Sequence, residues 1–169
     1  AKLLNPFIDF FYFDVLSSVR EFKLAIEAIE SFDKPYLIGA HISEGVKLPS
    51  GENISKIITT IDHKNLLGII LSCVSPENYE QNITELKSLG VPFGFKLNGF
   101  VTTNPDKGYT NNFNKSKTGN PNEFLGHRED LIPEKMALIV KKFQEAGATI
   151  LGGCCETRPA HIKEISKLK

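Results

Sequence analysis

The sequence predicts an α/β domain built on a parallel sheet. Five short apolar runs begin near residues 7, 36, 67, 92 and 148. Between them, apolar residues recur at the i, i+3, i+4 spacing of a helix face. Prolines, glycines and serines mark the joints. Strands that alternate with helices are joined by crossovers, so they should run parallel with right-handed connections. Two architectures fit: a five-stranded open sheet, or part of an eight-unit barrel. The chain starts at Ala1 rather than methionine, and its first residues read as mid-chain. That favours a single partial barrel domain over residues 1–169.

Each element has its own signal. Residues 7–14 are aromatic-rich and read as a strand ending in Asp14. A helix is predicted over about 20–31, with Phe22, Ala25, Ile26 and Ile29 on one face. Lys34 and Pro35 turn the chain into a second strand from Tyr36 to Ala40, ending near His41 and Ser43. After a polar loop with Pro49, Ser50 and Gly51, the spacing of Ile54, Ile57, Ile58 and Ile61 predicts an amphipathic helix. Isoleucine is only a moderate helix former, but packing can override propensity.

The third strand runs from Leu66 to Leu71 and ends in Ser72 and Cys73. Ser75 and Pro76 offer a cap and a first-turn proline for a helix burying Tyr79, Ile83 and Leu86, with Gly90 ending it. Residues 91–97 form the fourth strand, with Asn98 at its end. Residues 99–131 lack periodicity and are rich in asparagine, glycine, lysine and threonine; a loop this long is usually functional or mobile. Pro133 opens a helix with Met136, Val140 and Phe143 inward and Gly147 as its C′ residue. The last strand covers residues 148–151. A short helix opened by Thr157 and Pro159 follows, with Ile162, Ile165 and Leu168 on one face.

Composition bounds the function. Lysine plus arginine equals aspartate plus glutamate, 20 each, which gives no argument for nucleic acid or an anionic membrane as partner. No apolar run approaches the about 20 residues a membrane span needs. Three cysteines are too few, and odd in number, for a secreted disulfide framework. A reducing compartment, and so a cytoplasmic location, is expected.

Cys73, Cys154 and Cys155 all fall where a predicted strand ends, on the ligand-binding edge of an α/β sheet. Three thiolates converging there suit zinc and leave a fourth position open, the arrangement of a catalytic site. Against this stands ordinary packing, because free cysteine is often a small buried hydrophobe. For Cys73 alone packing is the better reading. For Cys154 and Cys155, directly after Gly152 and Gly153, a ligand role is the better one. A redox role for the vicinal pair would want Cys-x-x-Cys, which is absent. A nucleotide-binding sheet would want a glycine-rich turn after the first strand, and residues 15–20 have none.

Gly152-Gly-Cys-Cys-Glu-Thr-Arg-Pro-Ala-His-Ile162 resembles the C-terminal signature of the homocysteine S-methyltransferase family. That family includes betaine- and S-methylmethionine-dependent enzymes and the homocysteine module of cobalamin-dependent methionine synthase. Pro49-Ser-Gly-Glu-Asn-Ile-Ser55 is similar to the segment before the family's fifth helix, and Gly68-Ile-Ile-Leu-Ser-Cys73 to its sixth strand. The resemblance covers nearly the whole chain. It implies a (β/α)8 TIM barrel, of which this chain supplies about strands four to eight. It implies that Cys73, Cys154 and Cys155 hold Zn2+, and that homocysteine takes a methyl group from a small positively charged donor to give methionine. Coordination would ionise the thiol, so no general base is required.

The chain departs from the family at several points. Asp14 stands where the family has a glutamate that meets the substrate's amino group; the competing role for Asp14 is a helix cap. Ser72 replaces the usual asparagine. Asn98 matches a polar strand-end position that touches substrate, or serves a turn. His161 is expected on the helix surface or in packing, and His41, His63 and His127 as packed or solvated residues without partners. The first three βα units have no counterpart, which points to a homo-oligomer or a complementing N-terminal half. The competing readings are a non-catalytic zinc-binding fragment and the homocysteine-binding module of a cobalamin-dependent methionine synthase.

Overall fold

Five strands pair side by side in chain order. They are β1 (Phe11–Leu16), β2 (Tyr36–His41), β3 (Leu66–Val74), β4 (Phe93–Leu97) and β5 (Ile150–Gly153), and every pair is parallel. The helices are α1 (Val19–Glu27), α2 (Ser55–Ile58), α3 (Pro76–Ser88), α4 (Pro133–Glu145) and α5 (Pro159–Ile165). The computed structural model describes residues 1–42, 44–61, 64–102 and 122–168. His63 and residues 103–121 of the long loop lie outside the described residues.

Strand order carries the main architectural information. A doubly wound open sheet reverses its order at a switch point. Here the order is β1-β2-β3-β4-β5 without reversal. With right-handed crossovers, that winding places successive helices on one face.

Alternation along the strands sorts their side chains onto two faces. Tyr36, Ile38, Ile69, Leu71, Phe93, Phe95 and Leu97 point toward the helices and join Phe22, Leu86, Met136 and Val140 in one core. At its centre Tyr79 of α3, Phe95 of β4 and Phe143 of α4 pack ring against ring, with centroids 4.7 to 5.7 Å apart. Such tilted and edge-on pairs add to the burial of the rings themselves.

Local chemistry explains the helix boundaries. Ser18 and Glu21 form a capping box: Ser18 Oγ accepts from Glu21 N, and Glu21 Oε2 accepts from Ser18 N. Ser75 Oγ accepts from Asn78 N, and Pro76 fills the first turn of α3. Pro133 opens α4, and Gly147 follows it with φ 111°, the left-handed conformation expected of its C′ residue.

Several predicted elements differ, among them the last strand, which runs Ile150–Gly153 and so includes both glycines, and the first helix, which ends at Glu27 before a 3-10 turn at Glu30–Phe32. The first strand begins at Phe11, because Asn5–Phe7 closes a 3-10 turn around Pro6. The isoleucine-rich helix is one α turn, Ser55–Ile58, although Ile54 and Ile57 are fully buried. Its apolar spacing was right, and β-branched residues held it without extending it. In α5 the inward residues are His161 and Ile165, whereas Ile162 is 45% exposed.

Candidate metal centre

The cysteines are placed by two different irregularities of the sheet edge. In β3, Ser72 pairs with Lys96 and Val74 with Leu97, so Cys73 is an extra residue without a partner in the ladder. Its φ is 56°, left-handed, as the bulged position of a strand can be. Bulges are rare in parallel pairs, and non-glycine residues in this region persist where surrounding structure holds them. Here Asn98 does the holding. Asn98 is fully buried, its Nδ2 donates to the Cys73 carbonyl at 2.6 Å, and it lies 3.8 Å from Cys73 Sγ. Its Oδ1 accepts from Phe100 N.

Cys154 and Cys155 sit in the turn that leaves β5. Cys154 N donates to the Leu97 carbonyl at 2.7 Å, and the Cys154 carbonyl accepts from Thr157 N and Thr157 Oγ1. Gly99 N donates to the Cys155 carbonyl at 2.9 Å. This turn needs Gly153: a Cβ there would lie 2.4 Å from Thr157 Oγ1.

The three sulfurs lie within 4.8 Å of one another. Cys73 Sγ is 3.6 Å from Cys155 Sγ, which is 3.9 Å from Cys154 Sγ. A tetrahedral ion with metal–sulfur bonds of about 2.3 Å has sulfur–sulfur edges of about 3.8 Å. Both of those edges match that spacing, and the third is no longer than 4.8 Å. All three are half-buried and none is in a disulfide.

Crowded thiols ionise unequally. The hydrogen bond from Cys73 pulls the Cys154 thiol down to about 6 against its burial, and the nearby Lys96 charge helps. Giving that hydrogen bond, together with burial, pushes Cys73 far up. Burial and the Cys154 charge raise Cys155. The cluster therefore favours a single negative charge held among its thiols over three. A cation bound among the three would let the others ionise as well.

Asp14 is one strand position from a second irregularity. Val15 has φ 60°, and the β1–β2 register shifts between Phe13 and Leu16. Asp14 faces away from the helices and caps nothing; Ser18 caps α1. Its carboxylate accepts from Tyr12 Oη at 2.6 Å and pairs with Lys96 Nζ. Tyr12 Oη also shares a hydrogen bond of 3.0 Å with Ser72 Oγ. Burial opposes ionisation of Asp14, yet hydrogen bonds from Lys96, Ser72 and Tyr12 outweigh it and hold the carboxyl below its usual range. Burial and the hydrogen bond to Asp14 push Tyr12 up to about 12.

Sequence reasoning gave no role to Lys96 and Tyr12, although both alternate with core residues along strands it recognised. Their period-two placement was the available signal. It also missed that His127 has a partner. His127 pairs with Phe100 in an antiparallel bridge, and its Nδ1 lies 3.2 Å from Glu156 Oε2, next to Cys155. Only the fold brings these positions together. Arg128 pins the same segment to α3 through both Glu77 oxygens at 2.8 Å. His161 is 8% exposed and structural. Arg158 N donates to its Nδ1, so Nε2 carries the proton toward the Leu131 carbonyl at 2.9 Å. His41 ends β2 on the Tyr12 side of the sheet, half-buried, opposite Ser72 in the ladder.

Comparison with known proteins points to one family. The profile of the homocysteine S-methyltransferase family matches residues 1–168. Homocysteine S-methyltransferase 1 of Saccharomyces cerevisiae is 30% identical over 96% of this chain and 48% of its own length. The maize (Zea mays) homocysteine S-methyltransferase 1 is 24% identical over 95% of this chain and 46% of its own. The crystal structure of the homocysteine methyltransferase MmuM from Escherichia coli superposes with a TM-score of 0.71 at 17% identity, covering 99% of this chain and 52% of that one in its apo form. The metallated form gives the same TM-score over 47% of its chain. The chain spans about half the length of these relatives. It belongs to the homocysteine S-methyltransferase family.

Proposed function

We propose that this chain is the metal-holding part of a zinc-dependent enzyme that transfers a methyl group to the thiol of homocysteine, giving methionine. The observation that carries the reading is the cluster of Cys73, Cys154 and Cys155 sulfurs within 4.8 Å of one another, two of its edges at tetrahedral spacing. The metallated form of the MmuM structure supports a metal in this family, and the soft three-thiolate donor set favours zinc. The five units correspond to strands four to eight of an eight-unit barrel, which three further βα units would close. Sequential strand order supports this, as do the bare apolar side chains beside β1, with Leu3 87% and Phe7 84% exposed.

Zinc bound here would supply a fourth, open position at which a thiol of ordinary pKa near 8.5 ionises at neutral pH. The chain's own residues do the rest. Cys73, Cys154 and Cys155 would hold the ion as thiolates, and Asn98 fixes the bulge that aims Cys73. Asp14 offers a carboxylate on the same face of the sheet for the acceptor's ammonium group. The acceptor's thiolate attacks the methyl carbon of a positively charged donor. The new sulfur–carbon bond forms as the donor's bond to methyl breaks, the electron pair neutralises the donor, and the thiol proton passes to solvent.

The test is methionine formation by the zinc-loaded protein, alone and with complementing N-terminal units, given homocysteine and either S-methylmethionine or betaine. Methionine that disappears in a Cys154→Ser, Cys155→Ser variant is expected. A folded, zinc-loaded protein that forms none with either donor would refute methyl transfer and leave a metal-binding fragment.

A further inference from the structure

The face of the sheet turned away from the helices carries an ion pair beside the thiols. Lys96 Nζ pairs with Asp14 Oδ2. The lysine ammonium also lies 5.3 Å from the centroid of the Tyr12 ring, which favours its charge. Tyr12 Oη holds the other Asp14 oxygen, and Ser72 Oγ holds Tyr12 Oη. Ser72 is fully buried and directly precedes Cys73. The network stands on a bare backbone. A Cβ on Gly39 would lie 2.4 Å from Ser72 Oγ, 2.9 Å from Tyr12 Oη and 3.0 Å from Asp14 Oδ1. The pair itself is partly open to solvent, with side-chain exposures of 23% for Lys96 and 36% for Asp14. Lys96 pairs in the ladder with Gly152, two residues before Cys154.

We propose that Lys96 is a binding residue for the carboxylate of the acceptor, and that the Lys96–Asp14 pair opens to receive an α-amino acid zwitterion beside the thiol cluster. This rests on the reading of the site as one that takes an amino-acid thiol. The argument is charge balance. An ammonium and a carboxylate held side by side are the complement of a carboxylate and an ammonium on one carbon. Exchanging one pair for the other strands no charge, and a partly exposed pair opens at little cost. Asp14 alone would recognise any amine. Lys96 adds the requirement for a carboxylate, and it remains charged throughout because Asp14 or the ligand always faces it. Two methylenes separate the sulfur of homocysteine from its α-carbon, so a sulfur among the cysteines directs both charged groups toward the preceding strand positions, where Ser72 and Lys96 anchor the network.

Calorimetry on the zinc-loaded protein tests this with three thiols: homocysteine, 3-mercaptopropylamine, which lacks the carboxylate, and 4-mercaptobutanoate, which lacks the ammonium. In the unmodified protein, loss of the carboxylate should weaken binding about tenfold or more, the scale of a charged hydrogen bond. Lys96→Met should weaken homocysteine and mercaptobutanoate by a similar factor and should not weaken mercaptopropylamine, whose amine no longer has to displace a lysine from Asp14. Equal binding of homocysteine and mercaptopropylamine to the unmodified protein would overturn the proposal without any substitution. So would a Lys96→Met variant that weakens all three thiols alike, or none. If the unmodified protein binds no thiol at all, the amino-acid-thiol reading fails and this inference fails with it.

Discussion

The two faces of the sheet are built on opposite principles. The helix-covered face is a closed apolar core in which Ile38, Leu71, Phe95 and Val140 are fully buried. The other face carries Tyr12, Asp14, Ser72 and Lys96, linked by hydrogen bonds and charge. Both use the same five strands in the same register, so the difference lies only in which alternate position a residue occupies. The lesson is a division of labour. The apolar packing is concentrated where the helices are, and the polar network and the thiols lie on the reverse side and at the strand ends.

That division can be broken from either side. The largest loss is expected on the helix face. Phe95→Ala removes the ring packed between Tyr79 and Phe143 and should cost about 3–5 kcal/mol in denaturant unfolding. A loss below about 1 kcal/mol would mean the aromatic cluster is not the core it looks like. On the opposite face, Gly39→Ala drives a methyl group into Ser72 and should cost about 1–3 kcal/mol. Its midpoint shift should be smaller than that of Phe95→Ala. Asn98→Ala strands the Cys73 carbonyl in a buried setting. It should cost about 1–3 kcal/mol, and metal affinity, read by competition with a chelator, should fall about 10–100-fold. Unchanged affinity would mean that Asn98 does not aim Cys73.

The smallest effect belongs to the partly exposed pair. The folded state holds the Asp14 carboxyl below its unfolded value. Its stabilisation is therefore complete above about pH 4 and is lost as pH falls through the lower folded value. Lys96 is shifted the other way, upward: the Asp14 carboxylate outweighs its burial. That contribution is complete below about pH 10 and is lost as pH rises. Solvent screening keeps the pair near or below about 1 kcal/mol. Asp14→Asn should flatten the acid limb of the stability curve by that amount. An unaltered limb would show that the pair carries no stability.

The same division sets what could be read from the sequence. Runs such as Leu66 to Leu71, and the spacing of Tyr79, Ile83 and Leu86, announce a strand and a helix because burial imposes their period. The cysteine motif after β5 also announces itself, since two glycines and two thiols at a strand end have few other uses. The bulges do not. Whether a strand gains a residue at Cys73 or Val15 depends on its neighbour's register, which no local pattern contains. The Lys96–Asp14 and His127–Glu156 pairs are likewise products of topology. Asp14 read as a cap candidate while the true signal, Ser18 followed three residues later by Glu21, stood four residues on.

The central claim is that Cys73, Cys154 and Cys155 together bind one zinc ion. X-ray absorption at the zinc edge on the purified protein, with metal content by elemental mass spectrometry, tests it most directly. The account predicts about one zinc per chain with three sulfur neighbours at about 2.3 Å and one lighter neighbour. It also predicts loss of the metal in Cys73→Ser. A folded protein, supplied with zinc and complementing N-terminal units, that binds none would contradict the account, as would one that binds it without sulfur neighbours.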